Sequence, residues 1–237
     1  MANNPLIYID PDGREIFYSQ DGTRLGQVGE NTDVRVVNTT LTNAQALTHI
    51  QTGTESLQIL MDGSVAFSDY FTTVADVTND AALQTYANHG ENCFNAAEAQ
   101  LTLAGVSQTG PNNAINTLVN NTALTADPHG GAIRIQTELN NGNPVMVGVE
   151  QTRSNGTIPN VGNRNALTGH FIVIRSVNVA ANGSVTFNYL DNASTSLGKN
   201  ANNNLMLNTA TGGITDGTVP PRANILQYRV TEVRKNR

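Results

Sequence analysis

Cys93, His170 and Asp191 are three residues whose types and order in the chain could carry out nucleophilic catalysis. Cys93 is the only cysteine, and it follows Asn92, a residue suited to cap a helix, in the stretch GENCFNAAEAQLTLAG. The free N–H groups and the positive dipole end at a helix start stabilise a thiolate and lower a cysteine pKa. The sequence therefore predicts a nucleophile at the first residue of a helix.

His170 and Asp191 lie at the ends of two apolar runs that the sequence predicts to be a hairpin. His170 begins HFIVIRSV and Asp191 follows SVTFNYL, with Asn182-Gly183 as a strong turn signal between them. Both side chains should then lie at the same open end of the hairpin. Nucleophilic catalysis needs a base beside the thiol and a group that orients the base, so we predict these two roles for His170 and Asp191.

Two amides complete the candidate site. Asn192 is a second candidate for orienting the histidine, because it follows Asp191 directly. Asn88 is the candidate side-chain donor to an oxyanion, together with the backbone N–H of Cys93 at the helix start.

Each residue also has a structural interpretation. Cys93 could be an inert buried thiol, His170 a strand histidine, and Asp191 a turn residue, since LDNAS is also good turn chemistry. A zinc site made by His89, Cys93 and His170 is the weaker interpretation, because zinc usually takes three or four ligands from closer pairs. We predict no metal and no cofactor.

The elements that position these residues can be read from hydrophobic periodicity. Phe94, Ala97, Leu101 and Ala104 form one helical stripe, and Gly105 stands where a helix end favours glycine. A second helix is predicted over 129–142, then a strand in NPVMVGVEQT, the hairpin, and a last strand in ANILQYRVTEV.

The rest of the chain gives weaker signals. EIFYS and DVRVVN have the composition of strands, and 42–53 that of a short helix. SLQILMDGSVAF is predicted to form two strand pieces around Asp62-Gly63. DAALQTYANHG is predicted to be a helix that stops at Gly90, and 198–222, rich in Asn, Gly and Thr, is predicted to be loop.

Composition excludes several classes of protein. The 237 residues carry a formal net charge of −6 and have no stripe of Lys and Arg, which disfavours nucleic-acid binding. The longest apolar runs fall well short of the roughly 20 residues that cross a bilayer, so we expect no membrane span. One cysteine allows no intramolecular disulfide. We see no signal-peptide pattern at the start, so any secretion would use another carrier.

The opening resembles the end of the conserved core of RHS/YD-repeat proteins. The stretch NPLIYIDPDGR, residues 4–14, is similar to the junction that closes their shell. The resemblance implies that 1–40 is a junction with a β-hairpin linker and that 41–237 is a variable C-terminal toxin domain. It also implies an RHS shell in the parent chain, delivery into a competitor by a type VI secretion machine, and a cognate immunity protein.

Residues 84–195 resemble papain-like cysteine hydrolases of the peptidase C39-like and amidase branches. The shared features are the cysteine opening a helix, the NG-x-PV strand, GHF-V, and a hairpin ending in LDN. This resemblance implies an α+β papain-like fold, with a central helix carrying the Cys packed on an antiparallel β-sheet. It also implies a Cys93-His170-Asp191 triad. The family often has Gln six residues before its cysteine, where this chain has Ala87.

Together the two resemblances imply an antibacterial toxin that hydrolyses amide bonds. A peptidoglycan stem peptide is the expected substrate and the periplasm the expected compartment, with the immunity protein covering the cleft near Cys93 and His170. One alternative is a papain-fold toxin that cleaves or deamidates a cytosolic protein of the target cell. The other is a non-catalytic β-rich binding module in which Cys93 is inert.

Overall fold

The chain folds into two compact units, residues 1–70 and 71–237, in a computed structural model. The structure describes residues 15–29, 33–37, 41–52, 54–78, 83–85, 88–90, 92–110, 113–118, 126–153, 168–194, 202–216 and 226–237. The predicted domain boundary at residue 40 falls within the first unit. The RHS-like stretch 4–14 lies outside the described residues.

The first unit contains a four-stranded mixed sheet and two helices. Its elements are β1 (Glu15–Ser19), β2 (Arg24–Val28), β3 (Asp33–Val37), α1 (Asn43–Thr52), α2 (Thr54–Asp62) and β4 (Ser64–Ala66), followed by a 3-10 turn, Phe67–Tyr70. The strand order is β2-β1-β3-β4, with β1 and β3 parallel and the other pairs antiparallel. Phe17, Leu25, Val37, Ala46 and Leu60 form its core.

Within this unit the predictions of β1, β3 and α1 are confirmed, and the prediction of two strand pieces at 56–67 is wrong. Residues 54–62 form α2, and only 64–66 form a strand. Leu57, Leu60 and Met61 contact the same core, and their i, i+3, i+4 spacing is that of a helix. The short apolar run also fits a strand, and periodicity over so few residues does not separate the two.

The second unit is built around antiparallel strands that close on themselves. Its helices are α3 (Cys93–Leu103) and α4 (Pro128–Asn140), and its strands are β5 (Ile115–Asn116), β6 (Val145–Arg153), β7 (His170–Val179), β8 (Val185–Leu190), β9 (Asn204–Leu207), β10 (Ile214–Asp216) and β11 (Leu226–Val233). The strands follow the order β10-β9-β8-β7-β6-β11, and Thr215 pairs with Arg229 to close the ring. β5 pairs with the end of β11.

The predicted papain-like α+β fold is therefore wrong: the chain has a closed six-stranded antiparallel barrel and, in the first unit, a mixed sheet, with few helices. The fold prediction fails because 198–222, which was predicted to be loop, contains β9 and β10, two of the six barrel strands. Asn and Gly are poor strand formers. Yet Leu205 and Leu207 alternate with exposed neighbours, the period of a half-buried strand.

The register of the strands shows which residues lie on each face of the barrel wall. Directly paired residues of antiparallel strands share a face. Val145, Val147 and Val149 pair with Ile174, Ile172 and His170, and all six are fully or almost fully buried. The opposite face carries Met146 and Val173, which pack against Ala97 and Leu101 of α3. The cysteine-bearing helix thus lies on the outer face of β6 and β7.

The two ends of α3 follow the sequence prediction. Asn92 is the N-cap, and its side chain accepts hydrogen bonds from the N–H groups of Phe94 (2.9 Å) and Asn95 (3.2 Å). At the other end Gly105 has φ +75°, and Val106 N–H donates to Leu101 C=O at 3.0 Å, which forms a Schellman cap. The prediction that Cys93 opens a helix is confirmed.

Most other elements of this unit were also predicted. The helix at 129–142, the strand after it, the hairpin turning at Asn182-Gly183 and the last strand are confirmed. The helix predicted to stop at Gly90 is described only at 83–85 and 88–90, and neither piece is α-helical.

Gly212 offers a test of how closely the barrel approaches α4. It has φ +69°, and a Cβ there would lie 2.6 Å from the backbone nitrogen of His129 in the first turn of α4. Gly142 has a similar φ of +79°, but a Cβ there would meet nothing within 4 Å. Gly142→Ala should cost about 1–2 kcal/mol of unfolding free energy, from backbone strain alone. Gly212→Ala should cost about 1–3 kcal/mol more, because backbone atoms must also move.

Thermal or urea unfolding of the two variants measures this difference. Equal losses of stability in Gly212→Ala and Gly142→Ala would show that the contact with α4 relaxes freely, which would contradict the expectation.

Candidate active site

The candidate site lies where strand β8 ends earlier than its neighbour β7. The last pair between the two strands is Val173 with Leu190, so β8 ends before it reaches residues 170–172 of β7. After Leu190 the chain continues as Asp191 and Asn192. An unpaired strand edge offers free backbone N–H and C=O groups. Here those groups are taken by side chains of the candidate site.

The backbone of Phe171 makes two of these substitute contacts. Its N–H donates to the sulfur of Cys93, and its carbonyl accepts from Nδ2 of Asn192 at 2.9 Å. Asn192 Nδ2 also donates to the carbonyl of Cys93 at 2.8 Å. The start of α3 is therefore connected to the free edge of β7.

His170, at the end of β7 that extends beyond β8, is held by Asp191. The Nε2 atom of His170 lies 2.9 Å from Oδ1 of Asp191, and the imidazole is only 1% exposed. The other carboxylate oxygen, Oδ2, accepts from the hydroxyl of Tyr228 at 2.9 Å, and Oδ1 also accepts from Ala193 N–H at 2.9 Å. With both oxygens bonded, the carboxylate is fixed and so is the ring that it holds.

The Cys93 thiol makes a hydrogen bond to the His170 side chain. Because Asp191 occupies Nε2, the ring nitrogen left for the sulfur is Nδ1. Cys93 itself is partly exposed. The three side chains thus form a continuous sulfur–imidazole–carboxylate chain.

The surroundings shift the pKa values of the pair in opposite directions. Burial raises the pKa of Cys93, but the hydrogen bond and charge of His170, with the N–H groups of Phe171 and Phe94, outweigh it and lower the pKa below its ordinary value. Burial lowers the pKa of His170, but hydrogen bonds and charges of Asp191 and Cys93 raise it to about 9. Both shifts favour the thiolate–imidazolium form of the pair over the neutral thiol and imidazole.

Asp191 remains ionised in spite of its burial. Burial raises the pKa of its carboxyl, but the hydrogen bond and charge of His170, followed by the Ala193 N–H and the Tyr228 hydroxyl, lower it below the ordinary value. The orienting carboxylate is thus negative when the imidazole is positive.

A second carboxylate lies behind Tyr228. The N–H of Tyr228 donates to Oδ2 of Asp216 at 2.7 Å, and the Tyr189 hydroxyl is hydrogen-bonded to the same carboxyl group. Burial raises the pKa of Asp216 to about 6, with a further rise from the charge of Asp191 that the hydrogen bonds of Tyr228 and Tyr189 offset only in part. Sequence reasoning missed both Asp216 and Tyr228, because 198–222 was predicted to be loop and the strand that follows was not expected beside the site.

The structure brings Cys93, His170 and Asp191 together, and their catalytic roles stay predictions. Asn192 bonds two backbone carbonyls instead of His170, so it does not hold the imidazole. Asn88 is exposed and its N–H donates to Thr85 C=O at 3.1 Å; in the described ranges no hydrogen bond joins its side chain to the site. Its role as oxyanion donor stays a prediction.

The described part of the chain gathers no group of three or more His, Cys, Asp or Glu side chains that could hold a metal ion. His89, the residue considered for zinc, has its Nε2 2.6 Å from Oε1 of Gln84. None of the helices in the described ranges is long and apolar enough to cross a membrane.

Comparison with known proteins gives no match: no family model, no curated protein and no solved structure is similar to this chain. We therefore infer the function from the geometry and chemistry of the site itself.

Alkylation by iodoacetamide should show that Cys93 is a poised thiol. The wild type should react at mildly acidic pH, where an ordinary thiol with a pKa of about 8.5 is mostly protonated. In His170→Ala the midpoint of the pH profile should rise above the ordinary value, because burial remains and the main stabilising partner is lost. His89→Ala is the control and should leave the midpoint unchanged. An ordinary midpoint in the wild type would contradict the expectation.

Asp216 should make stability depend on pH. The pKa of Asp216 rises from 3.8 to about 6 on folding, so the folded state binds the proton more tightly than the unfolded chain. The resulting contribution to the free energy of unfolding is complete below pH 3.8 and is lost as the pH rises through about 6. Asp216→Asn removes the buried charge and keeps an oxygen that can accept from Tyr228 N–H. Its Tm should exceed that of the wild type by a few degrees at about pH 8, and the gain should vanish below about pH 4. A difference independent of pH would contradict this.

Proposed function

We propose that this chain is a cysteine hydrolase that cleaves amide bonds, with Cys93 as nucleophile, His170 as general base and acid, and Asp191 as orienting group. The observation that carries the proposal is the hydrogen-bonded chain from the Cys93 sulfur through His170 to Asp191, with a lowered thiol pKa and a raised imidazole pKa. Titratable side chains that contact each other and have shifted pKa values are typical of catalytic centres, and here one of them is a partly exposed cysteine.

In the first half of the reaction the Cys93 thiolate attacks the carbonyl carbon of the substrate amide. A C–S bond forms and the carbonyl π electrons move to oxygen, which gives a tetrahedral oxyanion. The oxyanion collapses, the C–N bond breaks, and the His170 imidazolium gives its proton to the leaving amine. The products are a free amine and an acyl-thioester on Cys93.

In the second half the neutral His170 takes a proton from water as the water oxygen attacks the thioester carbon. The C–S bond breaks, the carboxylic acid leaves, and the thiolate–imidazolium pair returns. Asp191 keeps its charge throughout and stabilises the imidazolium, as its bonds to Tyr228 and Ala193 allow.

The oxyanion needs hydrogen-bond donors near the sulfur. The first N–H groups of a helix have no intrahelical partner, and Cys93 is the first residue of α3. The Cys93 N–H is therefore the first donor that we propose. Asn88, which is exposed in the segment before α3, remains the candidate for a second donor.

The proposed biological role is that of a secreted toxin whose substrate is a stem peptide of peptidoglycan. The support for delivery is the RHS-like stretch 4–14, and the support for the reaction is the Cys93-His170-Asp191 arrangement. The chemistry of the three side chains supports the reaction, and a papain-like fold is not part of the proposal. A cognate immunity protein that covers Cys93 and His170 belongs to the same proposal.

Growth of bacteria expressing the chain tests this function. Wild type, Cys93→Ala and the control His89→Ala are each directed to the periplasm or to the cytoplasm. The expected result is lysis by the wild type and His89→Ala from the periplasm alone. Cys93→Ala should abolish lysis and raise the viable count by roughly tenfold or more, because loss of the nucleophile removes the covalent step.

The other outcomes have distinct meanings. Killing from the cytoplasm that depends on Cys93 would overturn the wall substrate and favour cleavage or deamidation of a cytosolic protein. Identical growth of the wild type and Cys93→Ala in both compartments would contradict hydrolysis by this thiol.

A further inference from the structure

Asn192 is a buried amide with an unusual pair of partners. The residue is 4% exposed, and its Nδ2 donates both to Cys93 C=O, at 2.8 Å, and to Phe171 C=O, at 2.9 Å. Its Oδ1 is buried and has no hydrogen-bond partner in the part of the chain that the structure describes. All the hydrogen bonding of this side chain is thus directed at two backbone carbonyls.

Those two carbonyls belong to residues that surround the sulfur. Phe171 supplies an N–H to the thiolate and follows His170 directly, and Cys93 is the nucleophile itself. Two carbonyl oxygens that converge on one place repel each other unless a donor lies between them. The amide of Asn192 provides two N–H groups, one for each carbonyl.

Apart from the hydrogen bonds of the Cys93 sulfur itself, the described contacts between α3 and β7 do not fix this geometry. They are apolar, with Ala97 and Leu101 against Val173, and with the rings of Phe94 and Phe171 edge to face at 5.2 Å. Apolar packing is not directional, so it allows small sliding of a helix along a strand. Hydrogen bonds of fixed length at the helix start do not.

We propose that Asn192 is a positioning residue that holds the start of α3 against the free edge of β7, so that the Cys93 sulfur stays within hydrogen-bonding reach of His170 and of the Phe171 N–H. This inference rests on the proposed function, because it assigns a role toward the Cys93–His170 pair.

The adjacent residue strengthens the inference. Asp191 fixes His170, and Asn192 fixes the backbone of Cys93, so one dipeptide holds both members of the pair. A turn keeps this dipeptide in place, with Ser194 N–H donating to Asp191 C=O at 3.0 Å. The chain retains this arrangement although it leaves the buried Oδ1 of Asn192 without a hydrogen-bond partner in the described ranges, which lowers stability.

The test compares the pH profile of Cys93 alkylation by iodoacetamide in Asn192→Ala, Asn192→Leu and the wild type. The leucine variant has nearly the same size and shape, but it has no hydrogen-bond donor for either carbonyl and adds no charge beside the thiol. In folded protein, checked by circular dichroism, both variants should raise the midpoint of the profile by about one pH unit. The isosteric variant keeps the test decisive if the alanine variant does not fold.

Gln136→Ala is the matched control. Gln136 is a fully buried amide in α4 whose Nε2 donates to Thr72 C=O and to Asn140 Oδ1, and whose Oε1 also lacks a partner in the described ranges. It should lower the Tm while leaving the midpoint of Cys93 unchanged. This separates loss of a buried amide from loss of alignment at the thiol.

The outcomes distinguish the two proposals. A lowered wild-type midpoint that stays the same in folded Asn192→Ala or Asn192→Leu would overturn the positioning role and leave the nucleophile standing. An ordinary midpoint in the wild type would overturn the proposed function first, and the positioning role with it.

Discussion

The candidate site depends on one constraint, the early end of strand β8. If β8 continued beside residues 170–172, its backbone would take the N–H and carbonyl of Phe171 into the barrel ladder. Because it stops at Leu190, these two groups are free for a thiol and an amide. The backbone that would have closed the wall of the barrel thus becomes part of the environment of Cys93.

Burial strengthens the interactions between the charges at this site, but it also makes each charge unfavourable in free energy unless it is paired. A thiolate, an imidazolium and a carboxylate out of water are tolerated only where each has hydrogen-bond partners. Asp191 is hydrogen-bonded to His170, Ala193 and Tyr228, and the sulfur to the imidazole and to the backbone N–H groups of Phe171 and Phe94. The barrel supplies Tyr228, the hairpin supplies His170, and α3 supplies the sulfur, so the charge arrangement requires all three elements at once.

Local signals in the sequence were sufficient for the parts of the site that are made by neighbouring residues. Asn92 and Gly105 define the two ends of α3 through capping geometry, and Asn182-Gly183 defines the hairpin. From these the proximity of His170 and Asp191 follows, because a hairpin fixes which residues meet at its open end.

The sequence did not predict what depends on distant pairing. In the described ranges the closure of the barrel joins β10 to β11 through the pair Thr215 and Arg229, and nothing local to either strand specifies it. With the closure unknown, Tyr228 could not be placed beside Asp191. The role of Asn192 was also missed, since its partners are backbone carbonyls, which carry no residue-specific signal in a sequence.

The position of β11 along the chain has a consequence for when the site is completed. This strand follows every other strand of the barrel in sequence, yet it pairs with β6 and carries the tyrosine that holds Asp191. During synthesis the chain emerges from its N-terminal end. A ribosome-bound chain in which α3, β7 and β8 are already folded therefore still has Asp191 without the Tyr228 hydroxyl. The fold itself delays completion of the site until β11 has been synthesised.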